Sequence, residues 1–356
     1  MKVCMFSLKG NFNKDIGQGV QRAMYEMSKN IGELMASEGH KFDSIELGRG
    51  GSYMKRKISF TLSSLVRNFS GYDIIHSPGP IMYNPPLRGR AKTVTNLYEL
   101  TVVDKDSPYA VEMANSGTER KETALDIAIR SRVRRTLLNT DYLLAASSQS
   151  REEAIRLGFD PERVFSVPLG VDQRFIDQPV SRPSNKNFKV GYLGALNTRK
   201  NVKFVINAVR GMEDREVRLE VWGKKLLEYE NLAKLADGDS RISFMGFAPE
   251  DGLVGIYDSF DVLVHPTLYG GLELEILEAQ SRGLPVIIYK KAYLPEEARR
   301  YCFEAKDENH AAHIIMDLKN NGYDKRRMQD AMAYARGFTW KRNAEETVAI
   351  YKRMLE

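Results

Sequence analysis

"HPTLYGGLELEILEAQSRGLPVI", residues 265–287, decides the fold. The residues leading into it, "FDVLVH", are apolar and β-branched and read as a buried strand. "ELEILEAQSRG" is built from helix formers and closes on Gly283, and "LPVIIY" is apolar again. Strand, glycine turn, helix and strand make one βαβ unit. In such units ligands gather at the strand's carboxyl end, where the next helix presents its free N–H groups. Glu273, Glu275 and Glu278 stand at this place. Acids there repel a phosphate unless at least one faces something else, such as sugar hydroxyls.

The alternation continues outward. Before this unit come "KVGYLGA", "NVKFVINAVRGM", "RLEVWG", "LLEYENLAKLA", "RISFMG" and "PEDGLVGIYDSF", strand and helix in turn. The first half repeats the pattern with strands at "KVCMFSL", "FDSIEL", "YDIIH", "AKTVTNLYEL", "YLLAAS" and "RVFSVPLG". Between them lie helices at "VQRAMYEMSKNIGELMASEG", residues 53–69, "ERKETALDIAIRSRVRRTLLNT" and "SQSREEAIRLG". This predicts an α/β protein of doubly wound parallel sheets. At 356 residues the chain is too long for one ordinary domain. "DQPVSRPSNKN", with two prolines and little apolar content, reads as an interdomain linker. The expected domains are 1–178 and 187–337, joined by a linker at 179–186. "FTWKRNAEETVAIYKRMLE" has apolar residues at helical spacing and predicts a terminal helix over 338–356, packing back on the first domain.

Cys4 and Cys302 lack metal-ligand spacing, and two widely separated thiols suit a reducing cytoplasm. "MKVCMFSL" is too short and poorly flanked for a signal peptide, and no run approaches the ~20 apolar residues of a membrane span. The formal charge of +6 is unevenly spread. From Arg49 to Lys92 eight basic residues (Arg49, Lys55, Arg56, Lys57, Arg67, Arg88, Arg90 and Lys92) face one acid, Asp73. This local excess predicts an anionic partner.

"VPLGVD", "GYLGALNTRKNVKFVINA", "ISFMGFAPEDGLVGIYDSFDVLVHPT", "LEAQSRGLPVI" and "FTWKRNAEETVAIYKRML" together resemble a family 4 glycosyltransferase of the GT-B fold. The resemblance covers nearly the whole chain and is strongest after Ser147. It implies two Rossmann-like domains facing a central cleft. It also implies transfer of a hexose from a UDP- or GDP-linked sugar, with retention at the anomeric carbon. No cofactor beyond the nucleotide sugar, and no metal, is expected. The donor is expected against the second domain and the acceptor against the first.

The resemblance also assigns residues. "NTRKN" places Arg199 and Lys200 as the clamp on the leaving diphosphate, although a basic turn can also be merely solvated. Family members place two glutamates eight positions apart around the opening turn. Glu278 matches the second, which holds the donor ribose, and Gly270 stands where the first would be. Glu273 or Glu275 is a candidate replacement, with Glu273 read either as a sugar-hydroxyl acceptor or as a helix N-terminal acid. Gly270 and Gly271 suit a close backbone approach, and the amides of Gly271, Leu272, Glu273 and Leu274 are candidate donors to diphosphate or sugar. Gly17 and Gly19 in "IGQGV" resemble the family's glycine-rich loop near the donor phosphates. Tyr98, followed by Glu99, stands where relatives often carry a His-Asp pair. It is either a sugar or acceptor contact or a packed strand-end aromatic. His76 and His265 end strands and read as wall residues more readily than as chemical groups.

"YMKRKISFTLSSLVRNF" combines cations with Ile58, Phe60, Leu62, Leu65, Val66 and Phe69, the pattern of a membrane-surface helix or of an ordinary core-facing one. With Lys55, Arg56, Lys57, Arg67, Arg88 and Arg90 it is the candidate acceptor or membrane patch. The charge implies an anionic acceptor, and the resemblance implies a lipid-linked or other anionic glycan precursor, with a cytoplasmic enzyme that is either free or peripheral at the membrane's inner face. Two other classes stay open: a GT-B nucleotide-sugar epimerase, and a nucleotide-sugar-binding scaffold, the latter because Gly270 and Tyr98 depart from the family. A nicotinamide dehydrogenase fits poorly, since no GxGxxG follows the first strand. Nucleic-acid binding lacks a recognised module.

Overall fold

Lys2 to Leu8 opens the chain as strand β1, and Val3, Cys4, Met5 and Phe6 within it are buried. A continuous buried run, without alternation, is how a parallel strand covered on both faces reads. This computed structural model describes residues 1–8, 19–47, 53–79, 84–98, 124–182, 187–224 and 228–356. With β1, the strands β2 (Lys41–Leu47), β3 (Ile74–Ser77), β4 (Lys92–Leu97), β5 (Tyr142–Ala145) and β6 (Val164–Ser166) form one sheet in the order β2-β1-β3-β4-β5-β6. Every pairing in it is parallel. Its described helices are α1 (Val20–Ser37), α2 (Tyr53–Val66), α3 (Ala124–Leu138) and α4 (Ser148–Arg156).

The second sheet holds β7 (Phe188–Leu193), β8 (Val217–Trp222), β9 (Ile242–Gly246), β10 (Val262–His265), β11 (Val286–Tyr289) and β12 (Phe303–Ala305), ordered β12-β11-β10-β7-β8-β9. It too is parallel throughout. After α5 (Gln173–Asp177), the helices α6 (Val202–Arg210), α7 (Tyr229–Ala236), α8 (Leu253–Asp258) and α9 (Leu274–Ser281) alternate with these strands. They are followed by α10 (Glu296–Arg299), α11 (Glu308–Asn321), α12 (Lys325–Arg336) and the closing α13 (Trp340–Leu355). In each sheet the strand order reverses once, between β1 and β3 and between β7 and β10. At such a switch point the two following loops diverge and leave a crevice at the strands' carboxyl ends.

The chain divides into two compact units, each with one sheet. The second unit takes over at Val171 and runs to Phe338, while α13 belongs to the first, where it packs along α1. The boundary therefore lies ahead of the expected 178. The reason is Arg282, which is fully buried. Its guanidinium makes a bidentate pair with Asp258 at 2.8 and 2.6 Å, and donates to the carbonyls of Phe175, Gln178 and Pro179. Ser181 N–H bonds Asp258 and Arg182 bonds the carbonyls of Phe260 and Arg282. Of the expected linker, 179–182 are thus strapped to the second unit, and 183–186 lie outside the described residues.

Two further expectations change. The helix over 53–69 ends at Val66. The N–H of Phe69 bonds the Leu87 carbonyl at 2.7 Å, which turns the Phe69 ring inward to 5.3 Å from that of Phe6. Leu62 and Val66 stay exposed, so the helix's apolar residues do not share one buried face. Residues 290–337, to which the sequence pattern assigned no element, hold β12 and α10 to α12.

Candidate active site

The loop after β7 and the loop after β10 meet at the second unit's switch point. Asn197 Oδ1 accepts from Lys200 N–H at 3.0 Å, closing a tight turn over Thr198–Lys200. Asn201 then takes a left-handed conformation, φ 49°, which asparagine tolerates better than most residues. This reversal starts α6 and leaves Arg199 and Lys200 beside the β10 loop. Leu268 N–H donates to the Arg199 carbonyl at 2.9 Å, and Arg199 Nη1 donates to the Tyr269 carbonyl at 2.9 Å.

The two basic side chains converge on Glu273. Arg199 Nη1 lies 2.9 Å from Oε1, and the Lys200 ammonium bonds Oε2. His265 Nε2 stands 3.2 Å from that same Oε2 and 3.4 Å from Lys200 Nζ. Glu275 Oε1 is 3.6 Å from Lys200 Nζ. Lys200, His265 and Glu273 are all buried, while the Arg199 side chain keeps about a quarter of its exposure. Burial alone would push the Glu273 carboxyl up. The ammonium of Lys200, the guanidinium of Arg199 and the hydrogen bond from His265 hold it well below the usual carboxylate range. Burial likewise opposes ionisation of Glu275, and Lys200, His265 and a backbone hydrogen bond together lower that carboxyl too. His265, Glu273 and Glu275 present ligand atoms within 4.8 Å of one another, the makings of a metal site. The Lys200 ammonium sits among all three, so a fixed organic cation already fills the place a metal ion would take.

Glu273 is the N-cap of α9, yet its side chain makes no capping bond. Its carboxylate is instead engaged by the Arg199 guanidinium and the Lys200 ammonium. Glu278 is buried further along α9, and its Oε2 accepts from the Tyr257 hydroxyl at 2.9 Å. Gly270 N–H is bonded to the Tyr293 carbonyl at 3.1 Å, which removes it as an amide donor to a ligand. Leu272 and Leu274 are buried, and Gly271 is half-buried.

In the first unit, Tyr98 follows β4. Its hydroxyl is buried without a hydrogen-bond partner, and burial pushes its pKa up. The Asn96 Nδ2 is orphaned likewise. His76 is fully buried between the Tyr351 hydroxyl and Asn96 Oδ1. Gly19 heads α1 with φ 59°, and Gly17 lies outside the described residues, as does Glu99. Arg67 and Arg90 are exposed. Arg88 instead donates to Thr93 Oγ1 at 3.2 Å and lies 3.7 Å from the Asp141 carboxylate, so it is partly spent inside its own unit. Lys55, Arg56 and Lys57 lie on α2, and their side chains are outside the described residues.

Sequence reasoning paired Arg199 with Lys200, read Glu273 as a sugar contact or a helix-terminal acid, and read His265 as a wall residue more readily than as a chemical group. It missed Tyr257 and Asn197. Asn197 could have been read as a cap, since asparagine is favoured at the start of a helical turn. Tyr257 carried no local signal, since it meets Glu278 across 21 positions.

Residues 187–321 match a family model described as glycosyl transferases group 1. The O-antigen chain mannosyltransferase B of Escherichia coli is 26% identical over 306 residues, covering 81% of this chain and 76% of that protein. An MMP alpha-(1->4)-mannosyltransferase of Mycolicibacterium hassiacum is 27% identical over 228 residues, covering 60% of this chain and 54% of its own length. Among solved structures, the sucrose-phosphate synthase of Thermosynechococcus elongatus aligns with a TM-score of 0.72 at 17% identity, over 99% of both chains. WaaG, a glycosyltransferase involved in lipopolysaccharide biosynthesis, aligns at 0.71 and 16% identity over 98% of this chain and 99% of that one. HepE of Anabaena, solved with UDP and glucose, aligns at 0.68 and 14% identity over 99% and 100%.

Two parallel six-stranded sheets with alternating helices give this chain the GT-B fold of those solved glycosyltransferases. Over residues 187–321 the chain matches the group 1 glycosyl transferase model, and with these relatives the protein is a glycosyltransferase.

Proposed function

We propose that this glycosyltransferase is a retaining, metal-independent hexosyltransferase of family 4 type, with a nucleotide diphosphate sugar as donor. The observation that carries the reading is the convergence of Arg199 and Lys200 at the β7/β10 switch point, beside the start of α9. As the glycosidic C–O bond breaks, negative charge grows on the leaving diphosphate. Two cations fixed in a largely buried site oppose that charge with little reorganisation. The departing phosphate oxygen takes the acceptor's hydroxyl proton, so no separate protein base is required. Glu278, one helical turn further along α9, holds the donor ribose. The mannosyltransferase relatives favour a mannosyl donor.

A panel of UDP-, GDP- and ADP-sugars tests this by thermal shift and by sugar transfer. A donor at one hundred times its dissociation constant should stabilise the protein by about 2.7 kcal/mol. Glu278→Ala should chiefly weaken that binding. An epimerase would interconvert the donor sugar without an acceptor, and a scaffold would bind it without consuming it. Absence of both binding and transfer across the panel rejects the reading.

The acceptor is anionic and lipid-linked, taken up by the first unit at a membrane surface. Supporting this, Arg67, Arg90 and Lys92 are exposed, as are the apolar residues Leu62, Val66 and Leu87 of the same unit. Among the described residues no helix is long and apolar enough to cross a membrane. Each such cation near an anionic bilayer contributes about 1 kcal/mol. Wild type should sediment with anionic vesicles at low salt, and reversal of Lys55, Arg56 and Lys57 to glutamate should release it without loss of donor affinity. Equal sedimentation of both proteins would point to a soluble acceptor.

A further inference from the structure

The carboxylate of Glu273 takes up the space a side chain at position 270 would need. A Cβ on Gly270 would stand 1.8 Å from Glu273 Oε1, 2.8 Å from its carboxyl carbon and 3.1 Å from Arg199 Nη1. Gly270 is not among the residues with positive φ, so the backbone does not require glycine there; the space does. The tip of a solvated glutamate would swing aside at little cost. This one is held at both oxygens, by Arg199 on one side and by Lys200 and His265 on the other. Displacing it would strip the buried Lys200 of its nearest counter-charge, and an unpaired buried charge is strongly unfavourable.

We propose that Glu273 is the positioning residue of the diphosphate clamp, and that Gly270 is glycine because the Glu273 carboxylate fills its side-chain volume. The inference rests on the clamp assigned to Arg199 and Lys200 above. Its new content is the coupling of positions 270 and 273. A carboxylate bridging both cations fixes where their charge lies before the donor arrives, which lowers the reorganisation needed as the bond breaks. Glu273 acts through the cations and need not touch the sugar.

A double-mutant cycle tests the coupling. Gly270→Ala and Glu273→Ala should each lower kcat, by about 10- to 100-fold on the scale of a misplaced charge-stabilising group. Each should also lower the melting temperature. In the Glu273→Ala background the alanine at 270 meets no carboxylate, so the double variant should be no worse than Glu273→Ala alone. Independent, additive losses overturn the coupling, as does a Gly270→Ala enzyme with wild-type kcat and melting temperature. Glu273→Gln, which keeps the shape and drops the charge, tests the role: kcat should fall while the donor KM is held. A raised KM with kcat intact would make Glu273 a ground-state binding group and reject positioning. The melting temperatures decide the coupling even if no donor turns over, which keeps its failure apart from failure of the hexosyltransferase reading.

Discussion

His76 and His265 occupy equivalent places in the two units. Each is fully buried near the carboxyl end of a short strand, β3 or β10, that borders its sheet's switch point. Their surroundings differ in kind. His76 lies between two neutral groups, the Tyr351 hydroxyl and the Asn96 carboxamide. Burial therefore dominates and lowers its pKa to about 4, against a smaller opposing effect of the Asn96 bond. His265 faces a carboxylate and an ammonium at 3.2 and 3.4 Å. One position has become a latch that fastens the closing helix α13 to β3, and the other is part of an ionic cluster. Topology offers the same place twice, and the neighbouring side chains decide whether it serves packing or charge.

The hardest test of this contrast is Lys200→Ala. It removes the cation nearest to Glu273 and His265, and turnover should fall by about 10²–10³, as when one charge-stabilising donor is lost. Steady-state kinetics on a protein verified as folded would decide. Turnover near wild type would make the His265 cluster as structural as the His76 latch.

The latch should announce itself through pH. A His whose folded pKa lies below its unfolded value favours folding in its neutral form. Its contribution is complete above the unfolded value of 6.5 and is lost as pH falls through the window down to about 4. The stability of wild type relative to His76→Gln should decline across that window, by up to about 3 kcal/mol at its acid end. Glu273 behaves on a different schedule. Its folded pKa is depressed below 4.5, so its contribution is present above 4.5 and is lost only as pH drops further. Urea unfolding from pH 8 to 3.5 separates the two, and a flat His76 difference curve would deny the latch.

Tyr351→Phe is the gentler version. It removes the hydroxyl from a fully buried ring and leaves a His76 nitrogen without its partner, at a cost of about 1–3 kcal/mol. Under the proposed assignment of the donor to Arg199, Lys200 and Glu278 of the other unit, donor binding should not change. Next to it on α13, Lys352 pairs with Glu38 at 2.9 Å with both side chains well exposed. Lys352→Ala should shift stability by no more than about 0.5 kcal/mol, because water and salt screen such a pair. A Lys352 effect as large as that of Tyr351 would mean that surface charge, and not the buried latch, holds the helix.

The sequence by itself determined the α/β class, the parallel sheets and most strands, because a strand buried on both faces must be apolar along its whole length. It also marked the turn carrying Arg199 and Lys200 and the three-glutamate turn after β10, since glycine, helix formers and cation pairs are local signals. It misplaced the unit boundary, because a proline-containing segment reads as a linker until a distant buried arginine is seen to bond its carbonyls. Only the tertiary structure decided which acid the cations meet, why position 270 carries no side chain, and which histidine is a latch. The cations meet Glu273 across 73 and 74 positions, the latch closes across 275, and the carboxylate lies against Gly270 while those cations hold it. Periodicity along a chain records which face is buried, and not what a side chain meets once it is there.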